Sequence, residues 1–127
     1  MDLVNILTDL QKQLDISVKQ LRKSGKDYAE AYTNYRVALA QELVKLRDKN
    51  IPVTLCSDLA RGNMEVAKKK FQEISTEAIY RANLESINSL KIRIKVIQSQ
   101  IEKEWSNIND WFKQCLYPMW KTNVVYI

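Results

Sequence analysis

Apolar residues recur along the first part of the chain at Leu3, Leu7, Leu10, Leu14, Val18 and Leu21, then at Tyr28, Tyr32, Tyr35, Leu39, Leu43 and Leu46. Steps of three and four make the stripe of an amphipathic helix. Leu7 and Leu43 stand ten turns of about 3.6 residues apart, whereas a strict heptad would repeat at about 3.5 and impose a left-handed supercoil. The pattern therefore predicts a nearly straight helix about 70 Å long at a rise of about 1.5 Å per residue. Its one gap holds Gly25, in Lys23-Ser24-Gly25-Lys26. Glycine costs up to about 1 kcal/mol against alanine in a helix, so Gly25 marks the joint at which this helix would kink or break.

The stripe ends at Asn50-Ile51-Pro52. Proline disfavours the helical region for the residue before it, so Pro52 predicts a stop. Thr54 reads as the N-cap of a short helix over Leu55 to Arg61, with Gly62 as its C-terminal stop. Asn63 then caps a second long helix, with Glu65 in the first turn, where the helix dipole favours an acid. That helix runs from Met64 to at least Trp105 and carries two stripes. Ala67, Phe71, Ile74, Ala78 and Ala82 share one face, to which Ile92 and Val96 return. Tyr80, Leu84, Ile87, Ile94, Ile101 and Trp105 lie roughly 150° away. The alternation in Leu90 to Val96 has a strand-like period of two, but helical flanks and the lack of turn residues decide for helix.

Two long helices with a short connector predict an all-α antiparallel hairpin over residues 1–110, followed by an irregular aromatic C-terminal tail over residues 111–127. Pro118 is expected to end the second helix, and the β-branched and aromatic run from Thr122 to Ile127 to be extended. Trp105, Trp111, Phe112, Tyr117, Trp120 and Tyr126 concentrate the aromatics late in the chain, where they would cap the open end of the hairpin or serve as a partner-binding segment. Antiparallel pairing brings Leu46 near Ala67, and Tyr28 to Tyr35 near Tyr80 and Leu84. One hairpin seam cannot bury two apolar faces. The face bearing Leu84, Ile87, Ile94, Ile101 and Trp105 is therefore expected to mediate self-association, most simply as an isologous dimeric bundle.

Composition narrows the chemistry. Two Gly and two Pro are too few for the tight turns of a sandwich or barrel. With no His, the commonest general acid–base residue and transition-metal ligand is missing. There is no Gly-rich phosphate loop and no Ser or Cys nucleophile motif, and Glu42 and Glu85 lack the Glu-x-x-His element of di-iron bundles. These features predict a protein that is not an enzyme and binds no metal or cofactor. Cys56 and Cys115 fall at opposite ends of the hairpin and share no metal-type spacing, which predicts two free thiols. Without a signal-like leader or an apolar run of about 20 residues, a cytoplasmic protein with no membrane partner is expected.

A net charge of +5 permits an anionic partner without requiring one. Tyr28, Tyr32, Tyr35 and Tyr80, with Arg36 and Arg81 beside two of them, combine aromatic faces and guanidinium groups that could stack a base and hold a phosphate. The competing expectation is that these tyrosines are core residues with hydroxyls at the rim. Lys91 and Lys95, one turn apart, form a basic surface that could face a phosphate backbone, although interspersed Glu65, Glu73, Glu77 and Glu102 favour an ordinary solvated face.

The stretch from residue 20 to residue 106 carries Ala29-Glu30, Tyr32 to Tyr35, Ala38 to Ala40, Leu46 to Asp48, Pro52 to Thr54 and Glu104-Trp105. In these features it resembles a group of small helical-hairpin proteins encoded by bacteriophages and prophages of Gram-positive bacteria. The segment after Trp105 departs from that pattern. The resemblance implies phage origin, a helical hairpin and residence in the host cytoplasm, and brings no activity with it. Together the readings point to a self-associating interaction protein that binds a host or phage macromolecule in host takeover or anti-defence. The alternative is a nucleic-acid or nucleotide-binding accessory, in replication, in recombination or as a sponge for a defence signal.

Overall fold

The computed structural model describes the backbone of residues 2–125 and the side chains of residues 2–115. The expectations for Tyr126 and Ile127, and for the side chains of Tyr117 and Trp120, lie outside the described residues. The chain forms α1 (Leu3–Asp48), α2 (Val53–Gly62) and α3 (Met64–Val125), with no strand among the described residues. It is an all-α hairpin in which a short helix joins two long ones, and none of the described helices is long and apolar enough to cross a membrane.

Asp2 caps α1, its Oδ1 accepting the Val4 N–H at 3.0 Å. The helix passes through Gly25 without a break, and the glycine has no positive φ. A ring explains its presence: a Cβ built on Gly25 would stand 3.3 Å from Tyr80 Cε2. The glycine lets α3 approach closely rather than ending α1.

The reversal after α1 differs from the expected proline stop. Asn50 takes φ 61°, the left-handed region that asparagine tolerates better than most side chains. The Ile51 N–H donates to the Leu46 carbonyl at 3.2 Å and the Asn50 N–H to the Arg47 carbonyl at 3.0 Å. This is a Schellman motif, completed by Ile51 packing against the cluster that holds Leu46. Pro52 instead starts α2, its carbonyl accepting from Leu55 at 3.0 Å and Cys56 at 3.1 Å, so Thr54 lies inside the helix rather than at its cap. Asn50→Val is expected to cost about 1–2 kcal/mol, because a β-branched residue is strained where φ is positive. Urea denaturation measures it, and Asn50→Gly should retain or exceed wild-type stability.

Gly62 lies at the end of α2 without a left-handed φ, and Asn63 turns the chain in an extended conformation. As expected, Asn63 caps α3: its Oδ1 accepts from the Glu65 N–H at 2.9 Å and the Val66 N–H at 3.2 Å.

By contacts the chain divides into two units. In the first, residues 15–88, the three helices meet around Tyr35, Leu39, Leu46, Cys56, Ala60 and Val66, with Ala38, Leu43 and Ile51 packed at the edge. Ala60 is wholly buried, and the Cys56 thiol donates to the Ile51 carbonyl at 3.4 Å. Further along, Asn83 Nδ2 donates to Ser24 Oγ at 2.9 Å, which itself donates to the Leu21 carbonyl at 3.1 Å. Partners on α3 fall from Asn83 to Lys70 as those on α1 rise from Ser24 to Tyr35, which is antiparallel pairing. The part-buried Ser24–Asn83 bond ties the two helices in this register.

The second unit comprises residues 2–14 and residues 89–125. Leu10 and Leu90 are buried, while Leu7, Leu14, Ile94, Ile97 and Ile101 are half-buried. Over residues 111–125 the expected irregular tail is helical instead, since α3 continues unbroken through Pro118 to Val125. Residues 105–117 contain no Gly or Pro, and an extended segment needs a strand to pair with, of which the described residues offer none.

Candidate functional site

The two faces of α3 are exchanged relative to the sequence expectation, except at Tyr80, which meets Tyr28 as expected. Val66, Glu73, Tyr80, Ile87, Ile94 and Ile101 recur every seven residues and are all buried or half-buried, interleaved with Asn83, Leu90 and Ile97. This heptad spacing forms the seam with α1. The face predicted to pack there is instead in solvent: Phe71 is 71% exposed, and Ile74, Ala78, Ala82, Ile92 and Val96 are exposed too. From Ile87 onward the heptad face gathers Leu90, Ile94, Ile97 and Ile101, and a buried Ile or Leu contributes about 1.5–3 kcal/mol, far more than an Ala such as Ala78 or Ala82. Ile87, Ile94 and Ile101 are therefore taken up within the chain rather than offered to a partner, whereas Leu84 and Trp105 remain exposed.

The six tyrosine and arginine residues read as one ligand zone do not assemble into one. Tyr28 and Tyr80 do meet, ring centroids 6.1 Å apart and planes tilted by 31°. Tyr32 is exposed and Arg36 is exposed. Arg81 is held by Glu77 on its own helix, its Nε and Nη2 donating to Oε1 at 3.0 and 2.8 Å. Lys91 and Lys95 are both exposed, as a solvated face requires.

Tyr35 belongs to a different constellation. Its ring is buried, and Lys70 Nζ stands 4.6 Å from the ring centroid. That ammonium donates to Glu73 Oε2 at 2.9 Å. Glu73 occupies a seam position, and its side chain is almost fully covered while that of Lys70 is half exposed. The hydrogen bond to Glu73, reinforced by the charges of Glu73, Tyr35 and Glu77, raises the Lys70 pKa above its ordinary value and outweighs desolvation. Tyr35, Lys70, Val66 and Arg61 of α2 line a recess of about 310 Å³. In the sequence Glu73 reads as one of the acids interspersed along a solvated face. Its spacing of seven from Val66 and Tyr80 was the available signal.

Beyond Ile101, α3 presents a face that no helix covers among the described residues. Trp105, Ile108 and Phe112 follow Ile101 in steps of four, three and four, so they share one side, and they are 65%, 45% and 48% exposed. Trp111 lies beside them, its ring 5.1 Å from that of Phe112 in an edge-to-face arrangement. The tail aromatics on described side chains therefore stand out in solvent rather than capping the hairpin. Comparison with known proteins adds no kinship: no family model, curated protein or solved structure matches the chain.

Proposed function

We propose that this chain is a non-enzymatic interaction protein of phage origin, which self-associates through the face of α3 beyond Ile101 and thereby presents a dimeric surface to a host or phage macromolecule. The observation that carries this reading is the exposed stripe of Trp105, Ile108 and Phe112 on one side of a continuous helix. A helix with such a stripe gains stability by burying it, and exposed apolar groups clustered in this way mark interaction surfaces. A second copy fits because the same stripe is self-complementary across a two-fold axis. Glu102, Lys103, Glu104, Asp110 and Lys113 around it nearly cancel in charge, so two copies meet with little repulsion.

Light scattering tests the proposal. The wild-type chain is expected to run at twice its 14.9 kDa mass. Trp105→Glu combined with Phe112→Glu should shift it to monomer with the helical signal retained, because both side chains are exposed within the single chain. A wild-type monomer mass at about 100 μM, where even weak dimers form, or an undiminished dimer in the double variant, contradicts it.

A further inference from the structure

We propose that the recess formed by Tyr35, Arg61 and Lys70 binds an oxyanion carried on a compact organic body, either a phosphate ester or a carboxylate. Three donors from three helices surround it. Tyr35 is only 8% exposed, and its hydroxyl makes no hydrogen bond among the described residues. No enclosed side-chain polar atom among those residues lacks a partner, so this hydroxyl opens to solvent, and the recess is the opening that Tyr35 lines. Arg61, exposed in the last turn of α2, has no ion-pair partner among the described residues and carries a fork of N–H donors that matches an oxyanion.

Lys70 supplies the third group in a fixed position. Glu73 holds its ammonium from the seam at 2.9 Å and the Tyr35 ring supports it at 4.6 Å, which leaves further N–H donors of the ammonium free. Lys70 is partnered by Glu73 while Arg61 has no ion-pair partner among the described residues, so the recess favours an anion over a neutral molecule. The face of the Tyr35 ring under Lys70 is already taken, which leaves Val66 as the apolar side chain lining the recess. Tyr35 and Val66 both belong to the core cluster where the three helices meet, so the walls are held before any ligand arrives. A recess of about 310 Å³ has room for an oxyanion with a small body attached.

Titrating the full chain with phenyl phosphate, benzoate and phenol, followed by NMR shifts of the recess residues, tests this with one apolar body and two anionic groups. Saturable binding of at least one anion and none of phenol is expected, and the tighter anion identifies which oxyanion the recess takes. Arg61→Gln should weaken that binding about tenfold, the scale of a charge-assisted bidentate contact. Tyr35→Phe, which removes only the hydroxyl, should weaken it about threefold or more. Arg36→Gln, exposed and outside the recess, should leave it unchanged. Arg61 is exposed, so its substitution keeps the fold, and unchanged circular dichroism verifies this. The proposal is overturned if neither anion saturates by about 10 mM, if phenol binds as well as the anions, or if Arg36→Gln weakens binding as much as Arg61→Gln.

Discussion

Leu46→Ala is expected to lower the unfolding free energy by about 2–5 kcal/mol, towards the upper end of that range. Leu46 is buried where α1, α2 and α3 converge, in one cluster with Tyr35, Leu39, Cys56, Ala60 and Val66. Truncation leaves a cavity that neighbours must fill, and they have little freedom to do so. Ala60 has only a methyl group, and Cys56 is tied to the Ile51 carbonyl. The Leu46 carbonyl and side chain also serve the reversal after α1, through the Ile51 N–H bond and the packing of Ile51. Val44→Ala, two residues away and 60% exposed, should change stability by no more than about 0.5 kcal/mol. Urea denaturation of both variants decides the matter. Equal small losses would show that the cluster is not the stabilising centre of this unit.

The second large effect discriminates the two faces of α3. Ile87→Asp is expected to cost about 3–5 kcal/mol, because it places an unpaired carboxylate at a seam position now 5% exposed. Phe71→Asp, at a position 71% exposed, should stay within about 0.5 kcal/mol of wild type. The sequence expectation of which face packs against α1 predicts the reverse order. Thermal or urea melts at low protein concentration separate the two arrangements, since one variant loses most of its stability and the other keeps it. If Phe71→Asp proves the more damaging, the heptad seam is misplaced and the assignment of the binding face falls with it.

Much of the architecture was legible because helix signals are local. The stripe from Leu3 to Leu46, the Asn63 cap and the connector helix are written in neighbouring residues, and the structure has all three. What failed to read correctly depended on partners distant in sequence. Gly25 looks like a weak joint until Tyr80 is placed over it. Asn50 reverses the chain two residues before the more conspicuous Pro52, and a left-handed asparagine leaves no signature as plain as a proline. The two stripes of α3 were both visible, yet choosing between them required comparing the bulk each would bury. A count of apolar positions treats Ala78 and Ile87 alike. For the recess, Tyr35 was singled out with Arg36, its neighbour in sequence. The groups that join it, Arg61 and Lys70, come from other helices, and Glu73 was hidden by being an acid on an otherwise charged stretch.

Two copies are proposed to meet at the face of α3 beyond Ile101. All three tryptophans of the chain, Trp105, Trp111 and Trp120, fall in this stretch, so intrinsic tryptophan emission reports on it alone. Diluting the protein from about 100 μM to below about 1 μM, a span that covers weak and moderate dimers, should move the emission from a buried towards a solvent-exposed maximum. The midpoint should coincide with the change in mass, and Trp105→Phe should retain the transition through Trp111. Emission that stays at the solvent-exposed maximum across the whole range, with a monomer mass throughout, would contradict it.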